Sequence, residues 1–210
     1  MKVRVRCQVC GVALDGLRSC PNYWCGRDDR GWDLVWAVGE HQGSLQRAIA
    51  GLKYGEGEGQ QRWVRPLAEL LAGYLLEHLP AFDDVDVVVP VPSNVGSRRP
   101  EDHVELVLAA AWRAVGDLWE LRRALAKTRE TTRLAGAPTA AVRRLRAAVE
   151  VRAALTVTDP GAVAGRHVLA VDDVFTEGST LREVAFALRR AGARGVSGLV
   201  LARQPVRLRT

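Results

Sequence analysis

The chain has 210 residues, 48% of them hydrophobic, which is enough for one sizeable core and a small appendage. Its formal charge of +6 suits a polyanionic partner, but the arginines are too dispersed for charge alone to indicate DNA binding. The first six residues lead directly to Cys7 without the apolar stretch of a signal peptide, and no apolar run reaches the length of a membrane span. We therefore expect a cytoplasmic protein that does not enter a membrane.

The four cysteines all lie within the first 25 residues, as the pairs Cys7/Cys10 and Cys20/Cys25. In a reducing cytosol this spacing favours a tetrahedral Zn²⁺ site over the alternatives, which are unrelated thiols or the disulfides of an exported protein. Four thiolates leave no open coordination position, so the predicted role of the metal is structural. We predict a zinc-binding module over residues 1–31 and a main domain over residues 32–210.

The main domain alternates strand-like runs with helical periodicity, which predicts an α/β fold. A strand is expected at residues 32–38, followed by a helix at 44–53 and a mobile glycine-rich loop at 55–59. A second helix is expected to begin at Pro66 and to end before Pro80. The later elements are predicted as strands at 85–89, 124–127, 155–157, 167–171 and 196–202 and as helices at 102–115 and 138–149.

The run from His167 to Thr180 carries most of the functional information. A predicted strand ends in Asp172 and Asp173, and a small hydroxylated turn then leads to a helix whose Thr180 and Glu183 match a capping box. Free N–H groups and the helix dipole make such a turn suitable for a phosphate. Adjacent carboxylates repel each other and cost stability unless a sugar diol or a metal ion engages them. Together these features indicate a site for a ribose 5-phosphate.

Residues 172–180 resemble the phosphoribosyl pyrophosphate (PRPP) signature of type I phosphoribosyltransferases. The resemblance implies that Asp172 and Asp173 hold the ribose hydroxyls. The residues it assigns to the 5-phosphate are Thr176, Gly178, Ser179 and Thr180. Glu177 stands where threonine is usual, and we expect its carboxylate to point outward so that only its backbone N–H contributes to PRPP binding.

A second candidate phosphate site lies at residues 89–100, where a strand ends in a polar, basic loop. Ligands of open α/β sheets bind at the carboxyl ends of neighbouring strands. If this strand neighbours the strand at 167–171, then Ser93 with Arg98 or Arg99 would bind pyrophosphate. For each arginine singly, an incidental place on a surface loop is the alternative. The helical arginines Arg143, Arg144 and Arg146 fit a solvated helix face.

The chain as a whole resembles the ComF-type phosphoribosyltransferase family. The matching features are the four cysteines, Leu52-Lys53-Tyr54, Val89-Pro90-Val91-Pro92 and the PRPP signature. This resemblance implies a mainly parallel sheet flanked by helices, with a small N-terminal zinc module. Where the family commonly has Arg-Gly-Phe-Asn-Gln, the chain has Arg99-Pro100-Glu101-Asp102-His103. The acceptor substrate is therefore not carried over.

The resemblance implies transfer of a phosphoribosyl group from PRPP to a nitrogenous acceptor, with release of pyrophosphate. Mg²⁺ is expected beside Asp172 and Asp173, because its hard oxygen ligands would be PRPP oxygens and carboxylates. Lys53 is a candidate for a closing loop, and His103 for an acid, a base or a hydrogen-bonding group. Two other functions stay open: a DNA-uptake or recombination accessory whose zinc module contacts single-stranded DNA or a helicase, and a PRPP sensor without turnover.

Overall fold

The structure, a computed structural model, describes residues 5–14, 16–93, 102–116 and 118–205. Arg98 and Arg99, the candidate pyrophosphate ligands, lie outside the described residues, as does Pro100. Among the described residues, no helix has both the length and the apolar character needed to cross a bilayer.

Parallel strands form the central sheet, and a short antiparallel pair lies apart from it. The strands are β1 (Val35–Glu40), β2 (Val87–Pro90), β3 (Glu120–Leu121), β4 (Leu125–Lys127), β5 (Leu155–Val157), β6 (His167–Phe175) and β7 (Gly195–Arg203). The five-stranded sheet has the order β1-β7-β6-β2-β3, and the small sheet pairs β4 with β5. All pairings within the five-stranded sheet are parallel, so β6 lies at its centre.

Helices cover both faces of the central sheet. They are α1 (Gly43–Tyr54), α2 (Glu58–Glu77), α3 (His103–Val115), α4 (Ala140–Arg146), α5 (Arg152–Ala154) and α6 (Ser179–Arg190). A π-helical turn, Ala147–Val151, joins α4 to α5, and short 3-10 turns lie at Asp28–Arg30, Leu79–Phe82, Leu134–Gly136 and Pro160–Ala162. The predicted fold class, a mainly parallel sheet flanked by helices with a cysteine cluster near the N-terminus, is confirmed.

Alternate residues of β6 point to two separate cores, as the period of a strand requires. Val168 and Ala170 pack in the core that includes α6 and the cysteine segment, here called the α6 face. Leu169 and Val171 pack in the core that includes α1, α2 and α3, here called the α1–α3 face. The central strand is thus buried on both sides, which explains its nearly continuous apolar sequence.

Two predicted boundaries in the first half are wrong. Helix α2 begins at Glu58 rather than at Pro66, which lies inside the helix. Proline removes one backbone hydrogen bond there, but Leu67, Leu71 and Leu75 are buried against the α1–α3 core, and this packing maintains the helix through the proline. Because α2 starts early, the predicted glycine-rich loop shrinks to the few residues between α1 and α2.

The end of the predicted strand at residues 167–171 also differs. Parallel pairing with β7 continues as far as Phe175, which pairs with Arg203, so Asp172 and Asp173 belong to β6 and point to opposite faces. The predicted capping box is wrong, since α6 begins at Ser179 after Gly178 and no side chain caps it. Glu183 is buried and accepts hydrogen bonds from two arginines, Arg152 at 2.6 Å and Arg182 at 2.9 Å.

Candidate functional site

The site lies at the carboxyl ends of β2 and β6, which are adjacent and parallel, as the sequence argument required. An open cleft of about 830 Å³ lies at this edge. The predicted site residues that line it are Lys53, Ser93, His103, Asp172, Asp173, Thr176 and Thr180. Glu177, Gly178 and Ser179 line a small adjoining cavity of about 50 Å³.

Asp173 is held by two groups from the α1–α3 face. Lys53 Nζ forms an ion pair with Asp173 Oδ2, and His103 Nε2 lies 2.8 Å from the same oxygen. Burial acts to raise the pKa of Asp173, but the hydrogen bond with His103 and the charge of Lys53 outweigh it and lower that pKa below its usual value. Asp173 is therefore a fixed anion.

Local capping brings His103 to this position. Asp102 caps α3 by accepting a hydrogen bond from Val104 N at 2.8 Å, and it also accepts one from Ser93 N at 2.6 Å. His103 is the first residue of α3, and its Nδ1 lies 2.9 Å from Ser93 Oγ. A continuous hydrogen-bonded chain therefore joins the end of β2 to the carboxylate pair of β6.

Lys53 reaches the site without any loop movement. The residue was expected in a closing loop but lies in the last turn of α1, where its ion pair with Asp173 holds the side chain over the cleft. Burial acts to lower the pKa of Lys53, but the negative charge of Asp173 outweighs this effect and raises it, so the ammonium group stays charged.

Asp172 differs from its neighbour because it faces the other side of β6. It lines both the large cleft and the small cavity and is half-buried. Burial, followed by repulsion from Asp173, raises the pKa of Asp172 to about 6. Lys127 of β4 also lines the cleft, and burial lowers its pKa. Lys127 reaches the cleft from a short strand of a separate sheet.

The turn at Thr176–Thr180, here called the phosphate loop, encloses the small cavity against the start of α6. Gly178 adopts a φ of +93°, and a Cβ there would come within 2.6 Å of the Trp32 ring and 2.7 Å of the Phe175 ring. Only glycine fits this position, because any side chain meets both strain and two aromatic rings. The packing brings the loop close to the first turn of α6, whose free N–H groups suit an anion.

The carboxylate of Glu177 does not point outward, so that prediction is wrong. Its side chain is 13% exposed and accepts a hydrogen bond from Ser179 Oγ at 2.8 Å. Arg144 Nη1 lies 3.1 Å from Glu177 Oε2, and Arg143 Nη1 lies 3.7 Å from Glu177 Oε1. These two arginines draw the carboxylate inward.

The same contacts overturn the interpretation of Arg143 and Arg144 as part of a solvated helix face. Both side chains are only 22% exposed, and Arg143 lines the small cavity. Two positive charges therefore lie beside the single carboxylate of Glu177. Their distance along the chain from the loop meant that no sequence pattern linked them to it.

The four cysteines converge on one point. The Sγ atoms of Cys7, Cys10, Cys20 and Cys25 lie within 4.8 Å of one another. Tetrahedral Zn–S bonds of about 2.3 Å place sulfurs about 3.8 Å apart, so a small contraction accommodates the ion. Arg203 supports an anionic centre here, because its Nη1 is buried without a hydrogen-bond partner among the described residues. Burial lowers the pKa of Arg203, and negative charge at Cys10 acts against this effect.

Comparison with known proteins gives only distant likenesses. No protein-family model and no curated protein matches the chain. Among the solved structures that are similar, one is described as the allosteric regulatory enzyme of purine biosynthesis and another as glutamine PRPP amidotransferase from B. subtilis complexed with ADP and GMP. Each is 22% identical over 73% of this chain, with TM-scores of 0.48 and 0.47. The chain spans about 30% of the length of those proteins.

Proposed function

We propose that the protein is a PRPP-binding phosphoribosyltransferase of the ComF type. It would transfer the 5-phosphoribosyl group to a nitrogenous acceptor and release pyrophosphate. The observation that carries the proposal is the juxtaposition of Asp172 and Asp173 with the phosphate loop, since Asp172 lines both the cleft and the small cavity. A molecule with a sugar diol next to a phosphate ester matches this pair of subsites.

The phosphate loop would bind the 5-phosphate through its backbone N–H groups and the hydroxyls of Thr176 and Thr180. Arg143 adds a guanidinium group to the same cavity, where it would form a charge-assisted hydrogen bond with phosphate. The carboxylate of Asp172 would accept hydrogen bonds from the ribose hydroxyls. Asp173 is already engaged by Lys53 and His103, so its part is to fix the local charge and geometry.

The opposite part of the cleft would hold the pyrophosphate group. Lys53 and Lys127 supply positive charge there, and Ser93 offers a hydroxyl at the end of β2. Arg98 and Arg99 keep their proposed role as pyrophosphate ligands. Mg²⁺ fits beside Asp172, because Asp173 points to the other face of β6 and is already engaged by Lys53 and His103. A cation there would favour the ionised form of Asp172, whose pKa is raised by burial and by repulsion from Asp173. When bound, Mg²⁺ would neutralise charge on the leaving pyrophosphate.

His103 would act as a positioning group rather than as the acid or base of the reaction. Both of its ring nitrogens are engaged, with Ser93 on one side and Asp173 on the other. A structural Zn²⁺ ion in a module over residues 1–31 and a cytoplasmic location belong to the same proposal.

Two observations favour a second function, PRPP sensing without turnover. The carboxylate of Glu177 accepts the hydrogen bond of the Ser179 hydroxyl, and Asp173 is paired with Lys53 and hydrogen-bonded to His103. Both arrangements engage groups that the transfer reaction would use, which leaves catalysis weaker. Release of pyrophosphate in the presence of candidate nucleobases distinguishes the transferase from the sensor.

The binding proposal is tested by calorimetric titration of PRPP with and without Mg²⁺. We expect Mg²⁺-dependent binding in the native protein and its loss in the double variant Asp172→Asn/Asp173→Asn, with the circular dichroism spectrum retained. The matched control is Asp83→Asn/Asp84→Asn, which removes two adjacent exposed carboxylates elsewhere. Unchanged PRPP binding in the first double variant would show that the assignment is wrong.

A further inference from the structure

We propose that Asn22, in the turn between Cys20 and Cys25, is a positioning residue for the phosphate loop. Through it, Zn²⁺ at the cysteine cluster and a phosphate ester at the phosphate loop would each raise the affinity for the other. The inference rests on the proposed function, because it assumes that the loop binds the 5-phosphate of a ribose.

The cysteine turn holds Asn22 in a defined position. Its backbone N–H donates to Cys20 Sγ at 3.4 Å, and its carbonyl accepts from Cys25 N at 3.2 Å. Its side-chain Oδ1 accepts from Trp24 N at 2.9 Å. Asn22 is therefore hydrogen-bonded to two of the four metal-ligand residues, Cys20 and Cys25. Binding of the metal to these cysteines would fix the position of Asn22.

The other end of the same side chain reaches the phosphate loop. Asn22 Nδ2 donates to the carbonyl oxygen of Glu177 at 3.1 Å, across 155 positions of sequence. Because a trans peptide is planar, fixing the direction of this carbonyl also fixes the N–H of Gly178, which points the opposite way. That N–H is among the free donors at the start of α6 that suit an anion.

The neighbouring residue adds a second contact between the two sites. The guanidinium of Arg144 stacks on the Tyr23 ring with its carbon 3.9 Å from the ring centroid, and it also pairs with Glu177 Oε2. Asn22 thus contacts the backbone carbonyl of Glu177. Tyr23 stacks on Arg144, which in turn pairs with the Glu177 carboxylate. Metal binding would order the turn that contains Asn22 and Tyr23, and it would thereby lower the free-energy cost of ordering the phosphate loop when a phosphate binds.

The test uses Asn22→Asp in the zinc-loaded full chain. Aspartate keeps the oxygen that accepts from Trp24 N but loses the donor to Glu177. We expect the zinc content to stay at that of the native protein and the Kd for ribose 5-phosphate to rise about fivefold, the equivalent of one lost hydrogen bond. Gln8→Glu adds the same charge at an exposed position of the cysteine segment and should leave that Kd unchanged.

A second measurement separates positioning from a merely structural role. By reciprocity, saturating ribose 5-phosphate should raise the Zn²⁺ affinity of the native protein, measured by competition with a chelator, and this effect should be lost in Asn22→Asp.

Each outcome decides something different. Native protein that binds ribose 5-phosphate with an affinity unaffected by Asn22→Asp would overturn the inference alone. Native protein that does not bind ribose 5-phosphate would overturn the proposed function as well. If Asn22→Asp loses zinc, the inference is tested on the native protein instead. A Zn²⁺ affinity of the native protein that does not change with saturating ribose 5-phosphate would then overturn the inference.

Discussion

The two faces of the central sheet supply cations to the same site in different ways. From the α1–α3 face comes Lys53, which forms an ion pair with Asp173 beside the hydrogen-bonded His103. From the α6 face come Arg143 and Arg144, which both approach Glu177. The carboxylates lie close together in β6 and the phosphate loop, whereas the cations come from separate helices. The acidic half of the site is thus a property of one segment, and the basic half exists only after folding.

The largest effect is expected on the α1–α3 face, from Asp173→Asn. The change leaves the buried His103 and the charged Lys53 without their common anion, and breaking such a pair costs about 3 kcal/mol of unfolding free energy. This value is the lower end of the range of about 3 to 5 kcal/mol for breaking a buried ion pair, because the Lys53 side chain is 38% exposed. Urea denaturation at pH 7.5 measures the loss, with Asp83→Asn as control. A loss close to that of the control would mean that the ion pair contributes nothing to stability.

An intermediate effect is expected from the pH dependence of stability, where the two aspartates act in opposite directions. The pKa of Asp172 is raised to about 6, so the folded state holds its proton more tightly than the unfolded state. Its contribution to stability is therefore present at low pH and is lost as pH rises from about 4 to 6. The pKa of Asp173 is lowered, so its contribution is lost as pH falls below about 4.

Urea midpoints measured between pH 4.5 and 8 check the first of these contributions. Asp172→Asn should be more stable than the native protein above pH 6, and the difference should shrink toward pH 4. A difference that stays constant over this range would contradict the raised pKa of Asp172.

The smallest effect is expected on the α6 face, from Glu177→Gln. Removing this negative charge leaves Arg143 and Arg144 free to face a phosphate. Ribose 5-phosphate should bind about threefold tighter, as measured by calorimetry, while Glu58→Gln, an exposed carboxylate on α2, should have no effect. Weaker binding by Glu177→Gln would show that the carboxylate organises the loop.

Features encoded within one segment were predictable from the sequence. Helix α3 follows Asp102 as expected, because the cap and the apolar period are local signals. The adjacency of β2 and β6 was a condition of the pyrophosphate interpretation rather than a prediction; the two strands do pair, and Ser93 contacts His103, which contacts Asp173.

Features that depend on tertiary contacts were not predictable. β6 extends to Phe175 because β7 offers partners beyond Val171, and Glu183 leaves its expected capping role because Arg152 lies nearby. The orientation of Glu177 depends on Arg144, and neither residue indicates the other in the sequence. Long-range charge pairing leaves no local periodicity for sequence reasoning to detect.

The stacked group formed by Tyr23, Arg144 and Glu177 has an evolutionary consequence. Replacing Glu177 alone by the threonine usual in type I phosphoribosyltransferases would leave Arg144 with an aromatic partner but no carboxylate. The three residues come from three distant segments of the chain. A substitution at one of them therefore removes a contact that the other two make, and so changes which residues are favoured at those two positions. Among related chains, these positions should therefore be exchanged as a set, and a glutamate within the loop should occur together with an arginine at the position of Arg144.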